Sequence, residues 1–288
     1  MAAGKGTRMK SARPKVLHTL AGRSLLQHVL NAVAGLGADR TLVIVGYGAE
    51  AVRTQVAEHG ALGVLQEPQL GTGHAVQQAV PHLPDAGTTL ILNGDVPMIE
   101  ADTAAALVAA CGGTKLALLT VELSDPTGYG RIVRDPGQGD AVKAIVEHKD
   151  ASTAQRAIRE VYTGMLAAPT AWLKRSVMSL KNDNAQREYY LTDIVAIAES
   201  ERLAVLAVPA HDETEVAGVN SAAQLAELER RVQRRQAEAL MEAHGVRFAD
   251  PARFDLRGTL ACGRDVFIDV GCVFEGDVVL GDEVTIGA

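Results

Sequence analysis

The opening of the chain holds residues suited to binding an anion. Gly4-Lys5-Gly6-Thr7-Arg8 flanks a lysine with glycines, and Lys15 follows. Residues 1–38 contain six cations and no acid, although the chain has a formal charge of −7. Such a loop can bring backbone N–H groups and cations to the phosphates of a nucleotide. Many short glycine-rich stretches are plain turns, however, and this one fits neither the GxxxxGK[ST] nor the GxGxxG pattern.

A carboxylate follows a predicted buried strand in the middle of the chain. Asn93-Gly94-Asp95 comes directly after the apolar run 88–92. Ligands of open α/β sheets lie beyond the carboxyl ends of the strands, so Asp95 could hold Mg²⁺ against a nucleotide there. The alternative is an aspartate that only forms a turn.

Two glycines open a predicted helix just beyond another strand, at Gly71-Thr72-Gly73-His74. Glycine allows close backbone approach, and the nearby Gln66 can offer a donor and an acceptor to a base edge. A plain strand-to-helix turn is the alternative. His74 has no evident partner in the sequence, which favours a packing or capping role.

Two further positions carry candidate polar groups in the second half of the chain. Glu147 could accept two hydrogen bonds from sugar hydroxyls, although Glu147-His148-Lys149 could equally be a surface ion-pair segment. Asn220 offers an amide oxygen of a kind that Mg²⁺ accepts.

The elements that position these residues alternate between strand and helix. Several strands are nearly continuous apolar runs, as expected when both faces of a sheet are covered. The pattern predicts an α/β, doubly wound, mostly parallel Rossmann-like sheet. Strands are predicted at 41–46, 63–66, 88–93, 115–123, 142–147, 161–167 and 203–208, and helices at 25–36, 49–58, 72–80, 102–110, 169–178 and 190–199.

The segment 221–244 contains no glycine or proline and mixes charges of both signs. It predicts a solvated linking helix with a thin apolar stripe. A basic helix that binds nucleic acid is the weaker interpretation. The stripe consists of Leu225, Leu228, Val232 and Ala239.

The last segment repeats every six residues. Two apolar columns lie two residues apart, and the period of six predicts a parallel β-helix rather than an ordinary hairpin. The columns are Phe254, Leu260, Val266, Cys272, Val278 and Val284, and Leu256, Cys262, Ile268, Phe274, Leu280 and Ile286.

Length and composition limit the class of protein. The chain has 288 residues, 47% hydrophobic and 22% charged, which suits two globular domains. No apolar run approaches the roughly 20 residues of a membrane span. Three scattered cysteines fit neither a disulfide framework nor a zinc site. A pI near 5.6 and 3% aromatic residues disfavour nucleic-acid binding. We expect a cytoplasmic protein without membrane insertion.

Residues 2–9 with Pro14-Lys15 closely resemble the signature of the sugar-nucleotide pyrophosphorylases. Further motifs resemble, in order, the bacterial bifunctional N-acetylglucosamine-1-phosphate uridylyltransferase/glucosamine-1-phosphate acetyltransferase family. They are Gln66 and residues 70–75, 94–97, 125–131, 145–150, 184–186, 188–193 and 218–220, followed by the hexapeptide segment.

This resemblance implies a role for each candidate residue. Those implied for the triphosphate are Ala2, Ala3, Gly4, Arg8 and Lys15, of which Arg8 and Lys15 are catalytic. Those implied for the uracil are Gln66, Gly71 and Thr72. Asp95 and Asn220 would bind Mg²⁺, with Asn93 and Gly94 in the same substrate-binding set. Gly130 and Glu147 would hold the N-acetylhexosamine. Tyr162 stands where many members have an asparagine that contacts the sugar, so that contact differs here.

The implied reaction is Mg²⁺-dependent transfer of UMP from UTP to N-acetylglucosamine 1-phosphate, a step of cell-wall precursor synthesis. The resemblance also implies a uridylyltransferase domain at 1–220, a linking helix at 221–244 and a truncated hexapeptide acetyltransferase domain at 245–288. The acetyl-transfer centre of that family belongs to later coils, and its full-length members are expected to be homotrimers.

The phosphate loop of that family follows a buried strand, and Met1 stands at the end of where that strand would be. We therefore expect the 288-residue chain to be poorly soluble and weakly active. The alternative to an enzyme is a non-catalytic, pyrophosphorylase-like binding or regulatory module. Retention of Arg8, Lys15, Asp95 and Asn220 favours the enzyme.

Overall fold

The computed structural model describes residues 1–135, 141–184 and 186–288. Ala185, in the motif 184–186, lies outside the described residues. The strands are β1 Thr19–Leu20, β2 Arg23–Ser24, β3 Leu42–Val45, β4 Leu62–Leu65, β5 Thr88–Ile91, β6 Leu116–Glu122, β7 Gly130–Asp135, β8 Ala141–Val146, β9 Glu160–Pro169, β10 Val205–Pro209, β11 Arg247–Phe248, β12 Phe254–Cys262, β13 Phe267–Ile268, β14 Cys272–Leu280 and β15 Thr285–Ile286. The α-helices are α1 Leu25–Val33, α2 Ala49–Glu58, α3 Thr72–Ala79, α4 Ala101–Cys111, α5 Thr153–Arg156, α6 Thr170–Met178, α7 Ile194–Ser200 and α8 Ala222–His244.

The chain divides into two compact units. The first unit comprises Met1–Lys5 and His28–Gly218, and the second comprises Gly6–Gln27 and Val219–Ala288. The candidate residues Arg8, Lys15 and Asn220 belong to the second unit. All the other candidate residues belong to the first.

The main sheet of the first unit is mixed, so the expectation of a mostly parallel sheet is wrong. The strand order is β10-β6-β9-β7-β8, and β5 also pairs with β9. β10 and β6 are parallel, whereas β9 runs antiparallel to β5, β6 and β7. An apolar run shows that a strand is buried but not which way it points, because its direction depends on the connections.

β7 is a strand that the sequence pattern did not indicate. It pairs with β8 as an antiparallel hairpin, with a register shift between Val133 and Arg134. Its sequence, GRIVRD, contains three charged residues and begins at a glycine, so it resembles a loop. Yet Arg131 and Ile132 are both buried.

Strand β6 shows why its sequence is continuously apolar. Alternate residues of a strand point to opposite faces, and here both faces are covered. Leu116 and Leu118 pack in one buried cluster with Leu173 of α6. Ala117 and Leu119 pack in another, which also contains residues of α4.

The first residues of the chain lie between the ends of two strands of the first unit. The Ala2 N–H donates to the Ile44 carbonyl at 2.8 Å, and Ala2 forms a parallel bridge with Val45 of β3. The Met1 nitrogen donates to Leu92 O at 2.5 Å, just beyond β5. Residues 1–3 therefore connect β3 with the end of β5 through backbone hydrogen bonds.

In the second unit, helix α8 is present where a linking helix was predicted. Leu228, Val232 and Leu240 are buried, but Ala239 of the predicted stripe is exposed. Gln233 is also buried, and its amide accepts from the N–H of Leu256 at 2.6 Å and donates to the Leu256 carbonyl at 3.2 Å. Helix α8 thus packs on β12 through an amide as well as through apolar side chains.

The strands after α8 pair in parallel. Residues of β12 pair with β14 from Phe254 with Cys272 to Cys262 with Leu280, and Arg257 and Glu275 in this register are 18 positions apart. β13 also pairs in parallel with β11 and with β15. All twelve residues of the two predicted columns contribute to one apolar core.

Within the described residues, no helix of either unit is long and apolar enough to span a membrane.

Candidate active site

The start of helix α3 is fastened to a distant loop. Gly71 has φ 101°, and a Cβ there would lie 2.7 Å from the Tyr189 carbonyl oxygen. The Gly73 N–H donates to that same oxygen at 2.7 Å, and the Thr72 hydroxyl accepts from the N–H of Leu191 at 3.0 Å. Only glycine fits this backbone shape and this approach, so the turn is held in one conformation.

Gln66 lies just after β4 with only 4% of its surface exposed. Its Nε2 donates to the Gly71 carbonyl at 2.9 Å and lies 3.2 Å from Nδ1 of His74. No hydrogen bond from another described residue reaches its Oε1. The structure therefore brings together Gln66, Gly71 and Thr72, and Gln66 presents an unused acceptor beside the turn.

His74 has partners after all, contrary to the sequence analysis. Its Nδ1 faces Gln66, and its Nε2 lies 3.0 Å from the amide of Gln78. Burial lowers the pKa of His74 below its ordinary value, which favours the neutral ring. The i, i+4 spacing of His74 and Gln78 on a helix was the signal that could have indicated this pair.

A second corner of the first unit gathers Gly130, Glu147 and Tyr162. Gly130 of β7 pairs with Tyr162 of β9. A Cβ on Gly130 would lie 2.8 Å from Ile145 Cγ2 and 3.7 Å from Glu147 Oε1. Glycine therefore leaves open the space beside the carboxylate.

Two names are used below for these groups of residues. The amide corner consists of Gln66, Gly71, His74 and Gln78. The carboxylate corner consists of Gly130, Glu147, Tyr162 and Thr192, whose contact with Glu147 follows.

Glu147 is a partly buried carboxylate rather than part of a surface ion-pair segment. Burial raises the pKa of Glu147; a hydrogen bond from the Thr192 hydroxyl opposes this rise, whereas the carboxylates of Asp150 and Asp193 add to it. The Thr192 Oγ1 donates to Glu147 Oε1 at 3.3 Å. Sequence reasoning assigned no role to Thr192, because nothing local links positions 45 residues apart.

The Tyr162 hydroxyl is buried without a partner among the described residues. Only 7% of the residue is exposed. Burial, and then the nearby Glu147 charge, raises the pKa of Tyr162 well above its usual value, so the hydroxyl stays protonated. An unpaired buried hydroxyl costs about 1–3 kcal/mol.

Arg131 is a buried residue that contacts the segments next to the carboxylate corner. It is 1% exposed and donates to the carbonyl of Tyr129, while its second terminal nitrogen lies 3.2 Å from His148 Nδ1 and 3.5 Å from the Arg156 carbonyl. Its Nε has no partner within the described residues. Arg131 thereby connects the residues that flank Gly130 and Glu147.

Asn93, Gly94 and Asp95 follow β5 as predicted. The Asn93 amide donates to the Thr163 carbonyl at 3.3 Å, and the Gly94 N–H donates to the Met1 carbonyl at 2.8 Å. Asp95 is half-buried. The loop that follows is secured by the fully buried Glu215, whose carboxylate accepts from the Glu100 N–H at 3.2 Å.

The residues that follow Met1 differ in exposure. Ala2 and Ala3 are buried, and the Ala3 carbonyl accepts from the Tyr47 N–H at 3.2 Å. Gly4 is exposed, and a Cβ there would meet nothing within 4 Å. Lys5 lies 5.7 Å from the centroid of the Tyr47 ring.

The second unit holds the other candidate cations. Gly6 has φ 61°, and a Cβ there would lie 2.7 Å from Lys15 Cβ, so glycine permits the loop to pack on Lys15. The Lys15 ammonium donates to Asn220 Oδ1 at 3.0 Å. Arg8 is exposed. The structure brings Lys15 and Asn220 together, whereas Asp95 belongs to the first unit, so joint metal binding by Asp95 and Asn220 stays a prediction.

No group of three or more His, Cys, Asp or Glu side chains that could hold a metal ion occurs in the described part of the chain. Cys111 and Cys272 are buried and Cys262 is partly buried, all as free thiols. Cys111, Cys262 and Cys272 each pack in an apolar cluster, as expected of small apolar groups.

Comparison with solved structures identifies the fold. Apo-UDP-glucose pyrophosphorylase superposes with a TM-score of 0.63 at 14% sequence identity, over 82% of this chain and 97% of that one. At this identity the likeness supports a Rossmann-like α/β nucleotidyltransferase fold and nothing finer.

Curated relatives are much closer in sequence. The bifunctional protein GlmU of Methylibium petroleiphilum is 70% identical over all of this chain, and that of Thiobacillus denitrificans is 58% identical, also over all of it. This chain spans 64% and 62% of the length of those relatives. The MobA-like NTP transferase domain matches residues 1–160. The chain therefore belongs to the MobA-like NTP transferase family.

Proposed function

We propose that the chain transfers UMP from UTP to N-acetylglucosamine 1-phosphate, forming UDP-N-acetylglucosamine and pyrophosphate. The observation that carries this proposal is the amide corner. Gln66 offers a carbonyl acceptor, and the adjacent N–H of Gly71 has no hydrogen-bond partner among the described residues. An acceptor beside a donor complements the N–H and C=O of a uracil imide edge. The names of the relatives and the pyrophosphorylase-like fold agree with it.

The carboxylate corner supplies the sugar-binding half of the proposal. The Glu147 carboxylate can accept from sugar hydroxyls, and the Tyr162 hydroxyl needs a partner that a ligand could provide. Gly130 keeps the space beside Glu147 open. We propose that Tyr162, in place of the family's asparagine, contacts the sugar phosphate.

The attacking sugar-phosphate oxygen is already an anion, so the proposed reaction needs no general base. Catalysis then depends on positioning the oxygen in line with the α-phosphorus and on neutralising charge. We propose that Arg8 and Lys15 of the second unit contribute that positive charge. Ala2, Ala3 and Gly4 of the first unit contribute backbone approach to the triphosphate.

We propose Mg²⁺ as the metal, with Asp95 as its carboxylate ligand and Asn220 as an amide ligand. Hard cations prefer such oxygens. One observation in the second unit fits this choice, because the Asn220 oxygen already accepts from a cation, the Lys15 ammonium. When bound, Mg²⁺ supplies additional neutralisation of phosphate charge.

We propose that residues 245–288 begin a left-handed parallel β-helix of hexapeptide repeats. The parallel register, in which partners lie 18 positions apart, equals three hexapeptides per coil and supports this assignment. With it we propose the boundaries 1–220, 221–244 and 245–288, and a homotrimer for the full-length protein. A non-catalytic regulatory module is not favoured by any observation.

The proposal is tested by measuring pyrophosphate release from UTP, N-acetylglucosamine 1-phosphate and Mg²⁺. Asp95→Asn should lower turnover by about 100-fold or more, since it removes a charge that binds metal. Asp102→Asn, at an exposed site in the first turn of α4, is the matched control and should retain activity. A folded parent chain that releases no pyrophosphate, or a fully active Asp95→Asn variant, would contradict the proposal.

A further inference from the structure

The Gly71 carbonyl favours one orientation of the Gln66 amide. The Gly71 carbonyl is an acceptor only, so the group 2.9 Å from it must be the NH₂ of Gln66. That same nitrogen lies 3.2 Å from His74 Nδ1. One of its two hydrogens serves Gly71 and the other points at His74.

The ring of His74 must therefore accept at Nδ1. A neutral histidine has one N–H and one acceptor, so its proton then sits on Nε2. The nitrogen of the Gln78 amide lies 3.0 Å from Nε2 and 3.4 Å from the His74 carbonyl oxygen. Because a protonated Nε2 needs an acceptor, we assign the Gln78 oxygen to the shorter contact by turning this amide, which gives up the longer hydrogen bond to the carbonyl. Gln78 thus selects the tautomer of His74, and His74 in turn selects the orientation of Gln66.

We infer that His74 is a positioning residue that holds the Gln66 carbonyl toward the base and thereby sets the preference for uridine over cytidine nucleotides. Uracil presents an N–H at ring position 3, which the Gln66 Oε1 can accept. Cytosine presents a lone pair there, which would face the same oxygen without a proton between them. This inference rests on the proposed function, in which Gln66 reads the base.

Without His74 the Gln66 amide would be held in its present orientation by Gly71 alone. The turned amide would lose the hydrogen bond to Gly71 and bring two oxygens together, but the further preference that His74 adds would be gone. The turned amide would present NH₂ to the base. The turned form suits the acceptor of cytosine. The measurable consequence is a change in the ratio of kcat/KM for UTP to kcat/KM for CTP, which a general loss of packing would not produce.

The test uses the full chain and three variants of the network. In His74→Leu the ratio should fall by about tenfold or more, since a lost discriminating hydrogen bond has that size. His74→Asn keeps a side-chain acceptor close to the ring position and should recover most of the ratio. Gln78→Leu removes the partner that selects the tautomer and should lower the ratio about threefold. Gln78 is half-buried on the helix surface, so this variant tests the network if His74→Leu does not fold.

His82→Leu is the matched control, a half-buried histidine of the same unit whose side chain does not contact Gln66. It should leave the ratio unchanged. Equilibrium binding of UTP and CTP, measured by calorimetry without sugar phosphate, separates base recognition by the chain from the role of His74. A parent chain that binds neither nucleotide, or both equally, would overturn the proposed function and this inference with it. A parent that prefers UTP and keeps its ratio in folded His74→Leu or in Gln78→Leu would overturn only the role of His74.

Discussion

The two polar corners of the first unit differ in how completely their groups are paired. In the amide corner, Gln66, His74 and Gln78 face one another, and one acceptor is left over. In the carboxylate corner, the Tyr162 hydroxyl has no partner within the described residues, and burial raises the pKa of Glu147. A paired network is rigid and reads a fixed pattern, whereas unpaired buried groups cost folding energy that a ligand can recover.

The comparison predicts different consequences of mutation in the two corners. Changes in the amide corner should alter which base is accepted. Changes in the carboxylate corner should weaken binding of the sugar phosphate and, where they remove an unpaired or buried polar group, stabilise the free chain. Active sites keep such groups at the expense of stability. Four variants test the carboxylate corner, from the largest expected effect to the smallest.

Removing the carboxylate should have the largest effect. We expect Glu147→Ala to lower kcat/KM for N-acetylglucosamine 1-phosphate by about 100-fold, since it deletes a charged acceptor. The KM for UTP should hardly change. Glu122→Ala, at an exposed end of β6, serves as the control. Equal losses toward both substrates would show that the two corners are not separate.

Filling the space beside the carboxylate should come next. In Gly130→Ala the new methyl group would lie 2.8 Å from Ile145 Cγ2, so Ile145 or β7 must move. We expect KM for the sugar phosphate to rise about tenfold, because a small displacement of a binding group is costly. Gly35→Ala is the control, since a Cβ there meets nothing within 4 Å. Unchanged steady-state constants for Gly130→Ala would mean that the ligand does not approach this strand.

Tyr162→Phe tests the unpaired hydroxyl directly. The free chain should lose nothing in stability or gain up to about 1 kcal/mol, because an unsatisfied buried group is removed. At the same time, kcat/KM for the sugar phosphate should fall about fivefold, as expected for loss of one neutral hydrogen bond. Thermal unfolding and steady-state kinetics on the same sample check both parts. A destabilised variant with normal kinetics would assign Tyr162 to packing alone.

The pH dependence of stability gives the smallest effect. A carboxyl with a raised folded-state pKa favours folding while protonated, and this contribution is lost as pH rises through that pKa. Burial is the main cause of the raised pKa of Glu147. Glu147→Gln should therefore have a slightly higher melting temperature than the parent at pH 7–8. This difference should shrink as the pH falls toward 4.5, the ordinary pKa of a glutamate. A difference that is constant across this range would contradict the assigned burial effect.

Local patterns predicted most elements of this fold. Strands β3 and β6 were predicted from their apolar runs, and the start of α3 from its glycines. Both signals depend only on residues that are neighbours in the sequence. The direction of β9 did not, because an antiparallel pairing between distant strands leaves no local mark. β7 was hidden by its charges, since the burial of Arg131 depends on backbone carbonyls brought by other segments.

The candidate site shows the same limit. Residue types and resemblance indicated Gln66, Glu147 and Asp95, yet they could not show what surrounds them. The pairing of Thr192 with Glu147 and that of Lys15 with Asn220 join positions 45 and 205 residues apart. The expectation of poor solubility and weak activity stays a prediction, to be checked on the purified chain.

The Gln233 amide has a consequence for how the second unit meets other proteins. An open strand edge offers N–H and C=O groups on which a foreign strand can nucleate intermolecular sheet growth. At Leu256 both groups of β12 are already bonded to a side chain of α8 that imitates a neighbouring strand. At this position the parallel strands therefore resist the addition of a foreign strand on the β12 side. Any further strand would have to pair on the β14 side.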